Sequence, residues 1–255
     1  MLDLIKLRMK HGFPVIGDLI NAELINTHRG FPLFDESKLS AAGEDIVNTC
    51  PVNAIFQNPL SIDLGKCIFC GECERASRGA IKFTGSYKLG SASREHLIIK
   101  SGQDFKDYIK NAFEARKAVN RIFGHSLKLR QVSAGGCNGC ELELNACGNV
   151  NFDMGRFGIE FVASPRHADG IVVTGPVTKN MAPALQDAYD SISDPKIVIA
   201  FGACTISGGI FYESDSLNRS FLDKIKIDLY IPGCPPHPLT FINAIINLMQ
   251  NKSRG

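Results

Sequence analysis

The stretch "SLKLRQVSAGGCNGCELEL", residues 126–144, changes character halfway along. Its first seven residues read as a β-strand, and the strand runs into a glycine-rich turn carrying Cys137 and Cys140. The same alternation continues downstream. "IEFVAS", "GIVVTG", "PKIVIAFG" and "IDLYIPG" read as strands, and "TKNMAPALQDAYDSI" and "PLTFINAIINLMQ" as helices, the first with Thr178 as its N-cap. Strands alternating with helices predict a parallel α/β sheet, whose ligands gather at the carboxyl ends of the strands. The cysteines follow that rule. Cys137 and Cys140 come after the first strand, Cys204 after "KIVIAFGA" and Cys234 after "LYIPG". Four thiolates on neighbouring loops of one sheet edge are able to surround a cubane cluster, with glycines such as Gly135, Gly136, Gly202 and Gly233 letting backbone approach the sulfides. Cys147 is left over and reads as a buried thiol.

A second set of cysteines lies upstream. "KCIFCGECERAS" spaces Cys67, Cys70 and Cys73 by two residues each, and "SAAGEDIVNTCPVNAI" (residues 40–55) ends on Cys50-Pro51 and the Ala-Ile that follows. Bacterial ferredoxins carry two runs of the form C-x2-C-x2-C-x3-C-P, and the fourth cysteine of each run ligates the other run's cluster. Under that crossover rule one cluster needs Cys50, Cys67, Cys70 and Cys73, all present. The other needs Ser40, Gly43, Ile46 and Ser77, none of them cysteine. The pattern therefore predicts one surviving [4Fe–4S] cluster. The alternative is a zinc site made by the same four thiolates, although zinc knuckles usually pair two C-x2-C units. With "HRGFPLFDESKL", these residues resemble a ferredoxin-like domain over 28–100.

Between the two sets, "SGQDFKDYIKNAFEARKAVNRIFG" places Phe105, Tyr108, Ile109, Ala112, Phe113, Val119, Ile122 and Phe123 at helical spacing. Ser101 with Asp104 suggests a capping-box start, and Gly124 a stop. The expected fold is an α/β domain with a parallel sheet, preceded by a small α+β ferredoxin-like domain. The expected boundaries are 1–100, a linking helix at 101–125, and 126–255.

"GGCNGCELE", "SPRHAD", "VTGPVTKNMAPAL", "FGACTISGGIF" and "DLYIPGCPPHP" resemble the small electron-transfer subunit of membrane-associated group 4 [NiFe] hydrogenases, including formate hydrogenlyase. That family is homologous to the complex I 20 kDa subunit, which carries the terminal cluster of complex I. The resemblance covers residues 126–250 and implies a flavodoxin-like fold. It also implies a proximal [4Fe–4S] cluster on Cys137, Cys140, Cys204 and Cys234. The spacing Cys137-Asn-Gly-Cys140, in place of adjacent cysteines, and His167 in place of glutamine favour the hydrogenase branch. Glu141 resembles a glutamate near the proton route of that branch, or else is a helix-start acid favoured by the dipole. Arg166 is expected beside the cluster, raising its potential, or in an ordinary ion pair. The opening "KLRMKHGFPVI" resembles a different, ferredoxin-like subunit of the same complexes, so the chain looks like a fusion of two neighbouring subunits lacking one cluster.

The resemblance thus implies two [4Fe–4S] clusters relaying electrons to or from a [NiFe] site in a hydrogenase-type large subunit, with membrane subunits and an upstream electron donor as further partners. The alternative reading is a complex I-like subunit without nickel, reducing a quinone or another acceptor. A third is a zinc-stabilised scaffold. Composition narrows these choices. A net charge of +2 argues against nucleic-acid binding, and the longest apolar runs, Ile171–Thr174 and Ile197–Phe201, are too short to span a bilayer. Nine cysteines without a secretory signal read as metal ligation in a reducing compartment. The chain is therefore expected to be cytoplasmic, peripheral to the membrane within a complex. The six histidines show no ligand spacing. "MLDLIKLRMKHG" interleaves apolar and charged residues and suits either an interfacial helix or a segment packed on a partner subunit.

Overall fold

A computed structural model describes residues 2–38, 45–113 and 126–250. In chain order, the N-terminal half contains α1 (Leu2–His11), β1 (Pro32–Phe34), α2 (Asp45–Asn48), β2 (Ile55–Gln57), β3 (Leu60–Asp63), α3 (Glu72–Ala76), β4 (Ile81–Phe83), β5 (Ile98–Lys100) and α4 (Phe105–Asn111). The C-terminal half contains β6 (Leu127–Ser133), α5 (Gly139–Ala146), β7 (Ile159–Phe161), β8 (Gly170–Thr174), α6 (Ala182–Asp190), β9 (Ile197–Phe201), α7 (Ala203–Ser207), α8 (Ser220–Lys224), β10 (Leu229–Ile231) and α9 (Pro238–Gln250).

The C-terminal strands form one sheet in the order β10-β9-β8-β6-β7, every pair parallel. Read from the β7 edge and renumbered within the sheet, this is 2-1-3-4-5, the flavodoxin-like winding that the family resemblance implies. The central strands "GIVVT" and "IVIAF" are buried at all five positions, as a parallel sheet covered on both faces requires. Their side chains divide by parity. Val172, Ile197, Ile199 and Phe201 pack with α9 and with Leu144 of α5. Ile171, Val173, Val198 and Ala200 pack with Leu185 of α6 and Phe221 of α8 on the other face. Pro238 opens α9, where its missing N–H costs nothing.

The N-terminal half builds two small antiparallel sheets, β1–β4 and β2–β3–β5. Its core joins Phe31, Ile62, Leu64, Leu97, Ile99 and Tyr108 to the side chains of Cys67 and Cys73. The two halves are stitched together. Ser91 and Tyr230 exchange N–H···O bonds of 3.0 and 2.8 Å. Tyr87 donates to the Leu19 carbonyl (2.7 Å), and both residues belong to the parallel sheet's own core.

Three local expectations change. The linking helix begins at Phe105 but ends at Asn111, with a turn at Ala112–Phe113; residues 114–125, including Val119, Ile122, Phe123 and Gly124, lie outside the described residues. Asp104 is its N-cap without a side-chain bond, so no capping box forms with Ser101. Thr178 does not cap α6, whose N-cap is Met181. Instead Thr178 bridges Leu217, and its carbonyl accepts the N–H groups of Met181 and Ala182 in a preceding turn. In α1, Leu2, Leu4, Leu7 and Met9 are more than half exposed, and no residue is buried. No helix among the described residues is long and apolar enough to cross a membrane.

Candidate iron–sulfur sites

The parallel register brings Ser133, Thr174, Phe201 and Ile231 to one level across the sheet. Every C-terminal motif cysteine follows this row within a few residues: Cys137 and Cys140 after Ser133, Cys204 after Phe201, Cys234 after Ile231. Cys140 lies in the first turn of α5 and Cys204 in that of α7. The thiols act on one another. Burial, then the neighbouring Cys204, Glu141, Cys234 and Cys137, push the Cys140 thiol far above its ordinary range. Cys204 is pushed up to about 11 by burial, Cys234 and Cys137. Cys137 and Cys234 are exposed, so this group is open on one side.

Glycines clear the space around these sulfurs. A Cβ on Gly202 would lie 2.8 Å from Cys140 Sγ, and one on Gly209 would lie 2.8 Å from Cys204 Sγ. Both have positive φ, at +88° and +55°, so a side chain is opposed by backbone conformation as well as by the sulfur.

The N-terminal group is more enclosed. Cys50, Cys67, Cys70 and Cys73 line a single cavity with Val52, Ala54, Ile55, Ile62 and Phe83. Cys50 Sγ accepts the N–H of Ala54 (3.2 Å), and Cys67 Sγ accepts that of Phe69 (3.3 Å). Phe69 holds φ +54°, a conformation uncommon for a bulky residue and concentrated at functional loops. Burial, reinforced by Cys73, Cys50 and Cys70, drives the Cys67 thiol strongly upward. Cys73 reaches about 11 through burial and then Cys70 and Cys50. Such thiols give up their protons when a cationic group binds, since the thiolate is the ligand. Among the described residues no three His, Cys, Asp or Glu side chains converge to hold a single metal ion. The sulfurs stand around a gap instead.

The positions that a second ferredoxin-type cluster would require have other uses. Ser77 is buried; its hydroxyl accepts the N–H of Ile81 (2.9 Å) and donates to the carbonyl of Glu74 (3.0 Å). Ile46 is a core residue, and Ser40 and Gly43 lie outside the described residues. Cys147 is fully buried, its thiol directed at the Glu143 carbonyl (3.3 Å).

Glu141 is not a solvent-facing helix start. Its Oε1 accepts from the buried Thr174 hydroxyl (2.5 Å), and its Oε2 is buried with no partner among the described residues. Arg166 is exposed on the turn between β7 and β8. In the C-terminal group, Arg219 lies beside Cys204, its guanidinium donating to the Cys204 carbonyl (3.1 Å). Nothing in "SLNRSF" signals that placement in the sequence. His28 and His237 also come together unannounced, their rings 5.6 Å apart. They line a pocket with Arg29, Phe69 and Cys234 between the two cysteine groups.

Residues 137–248 match the family described as NADH ubiquinone oxidoreductase, 20 Kd subunit. The chain is 39% identical to "Probable membrane-bound hydrogenase subunit mbhJ" of Pyrococcus furiosus over 134 residues, 52% of this chain and 80% of that protein. It is 50% identical to "Formate hydrogenlyase subunit 7" of Escherichia coli over 109 residues, 42% of each chain. It is 44% identical to an NADH-quinone oxidoreductase subunit of Geobacter metallireducens over 109 residues, 43% of this chain and 64% of that one. The match to the family begins at Cys137 and runs through Cys234 into α9, so it spans the whole cysteine-bearing edge of the parallel sheet. The chain belongs to the NADH–ubiquinone oxidoreductase 20 kDa subunit family, whose members are subunits of oxidoreductase complexes.

Proposed function

We propose that this chain is the electron-transfer subunit of a membrane-associated hydrogenase-type complex and holds two [4Fe–4S] clusters. One would be bound by Cys50, Cys67, Cys70 and Cys73 in a ferredoxin-like N-terminal domain. The other would be bound by Cys137, Cys140, Cys204 and Cys234 in the flavodoxin-like domain, with residues 101–125 linking the two. The carrying observation is that eight cysteines gather into two sets of four, one around a cavity and one along the aligned strand ends. Three cysteines at two-residue spacing with a distant Cys-Pro suit a cluster better than zinc, whose knuckles usually pair two C-x2-C units.

When bound, such clusters supply one-electron chemistry, and the protein contributes spacing, electrostatics and insulation from water. The residues here divide that work. Apolar Val52, Ile55, Ile62 and Phe83 exclude water from the N-terminal set, and N–H donors from Ala54 and Phe69 support its sulfurs. Exposed Cys137 and Cys234 place the C-terminal set at the surface, where a large subunit with a [NiFe] site would dock. Glu141 is the carboxylate of this chain best placed to carry a proton at that edge, held by Thr174 on one oxygen and unpaired on the other. An upstream donor would deliver electrons at the N-terminal set, and the complex would sit at the membrane through other subunits.

A nickel-free, complex I-like partner reducing a quinone is the second reading, favoured by the 44% identity to a quinone oxidoreductase subunit. Metal analysis of the complex recovered anaerobically through this chain separates the two. Iron with about one nickel per complex is expected; iron without nickel would move the reaction to quinone or another acceptor.

A further inference from the structure

Arg219 reaches back from the start of α8 to the end of α7. Its Nη1 donates to the carbonyls of Cys204 (3.1 Å) and Pro176 (3.4 Å), and its Nη2 to those of Thr205 (2.7 Å) and Ile206 (3.2 Å). Three of these four acceptors are carbonyls of α7; the Cys204 carbonyl also accepts the Gly208 N–H (2.8 Å), and a helix end leaves such last-turn carbonyls in need of partners. Those bonds alone would make the residue a cap. Its charge is the unusual feature. The guanidinium is half-buried, and among the described residues no carboxylate lies within ion-pair distance of it. Asp223 acts on it only from further away, and the nearby Arg94 is itself paired with Asp63 (2.6 and 2.8 Å). An arginine stays protonated in proteins, so a net positive charge is fixed beside Cys204.

We propose that Arg219 is a positioning residue that holds the reduction potential of the C-terminal cluster up, its guanidinium favouring the more negative, reduced state through the Cys204 loop. The proposal rests on the assignment of a cluster to Cys137, Cys140, Cys204 and Cys234. Adding one electron makes such a cluster one charge more negative, and a fixed cation in a region of low dielectric favours that state over the oxidised one. Arg166, exposed on the β7–β8 turn, has no such placement.

The test is a redox titration of the full chain purified anaerobically, poised with dithionite and ferricyanide and followed by EPR. The C-terminal signal is identified by its loss in Cys204→Ala. Arg219→Gln keeps hydrogen-bonding capacity but removes the charge, and should lower that cluster's midpoint by about tenfold in the reduction equilibrium, about 59 mV for one electron. Arg219→Lys should stay close to the unaltered chain. A purely structural cap predicts the reverse: little change in midpoint for Arg219→Gln, or an equal fall in both variants, and either result overturns the proposal. If Arg219→Gln fails to retain the cluster, Asp223→Asn decides, because it leaves the backbone bonds intact and frees the guanidinium of its distant counter-charge. A raised midpoint there supports the proposal, and an unchanged one overturns it. A missing second signal in the unaltered chain would instead remove the cluster assignment itself.

Discussion

Cys50 lies far from the C-x2-C-x2-C run in sequence, yet its sulfur lines the same cavity as Cys67, Cys70 and Cys73 and acts electrostatically on two of them. Cys50→Ala should therefore abolish the same EPR signal as Cys70→Ala and leave the C-terminal cluster's signal unchanged. Retention of both signals in Cys50→Ala would place the fourth ligand elsewhere. The grouping of the eight cysteines into two sets was legible because three of them keep ferredoxin-type spacing with a Cys-Pro upstream and the others follow strand ends. Arg219 and the His28–His237 contact were not. Their partners are backbone carbonyls and rings brought near by the fold, and neither leaves a pattern along the chain. Arg166, the tuning charge that the resemblance suggests, is exposed on its turn.

At the level of elements, the cysteine loops depend on how tightly strand ends and helix starts approach one another. Gly175 follows β8 with φ +82°, and a Cβ there would fall 2.0 Å from the Gly135 carbonyl oxygen. Gly202 joins β9 to α7 in the same manner, directly against Cys140 Sγ. Gly202→Ala should lose the C-terminal cluster while retaining the N-terminal one, cutting bound iron by about half. Full iron content would show that the sulfurs have room to shift. The strands and their parallel pairing were legible from apolar runs alternating with amphipathic helices, since a doubly covered sheet leaves few other solutions, while their order followed only from the family resemblance. Helix starts were read less well. Thr178 has the chemistry of an N-cap, but the turn it enters pairs it with Leu217 and delays α6 to Ala182. Helical spacing likewise carried on past Asn111, where the chain instead turns so that the Ala112 carbonyl accepts from Ala92 N–H (2.9 Å) and the Ser91 hydroxyl (3.1 Å).

Across the whole molecule, the two cysteine groups meet at a packed junction. Asn53, three residues after Cys50, donates to the Tyr212 hydroxyl on the Cys204 side (2.9 Å), and Phe69 and Cys234 line one pocket. His28 and His237 sit in that pocket. Burial, then the neighbouring His28, lowers His237 from 6.5 to about 4, and burial lowers His28 as well. His237 Nδ1 accepts the Leu239 N–H (3.1 Å), a bond that requires the neutral ring. With the folded-state value depressed, the unfolded chain takes up the proton first. The histidine's contribution is therefore complete above about pH 6.5 and is lost as pH falls toward about 4. His237→Asn keeps an acceptor without the titrating ring, and its denaturation midpoint should fall less between pH 7 and pH 5 than that of the unaltered chain. Parallel declines in the two proteins would assign the acid sensitivity to other groups. The half-to-half packing had no sequence signature, because it is made by single contacts distant in the chain.

The central claim is that both sets of four cysteines hold clusters, and the most direct measurement is iron and acid-labile sulfide in the full chain purified anaerobically. About eight of each per chain is the predicted result, with the brown colour bleached by dithionite. About four of each, or zinc in their place, would contradict it.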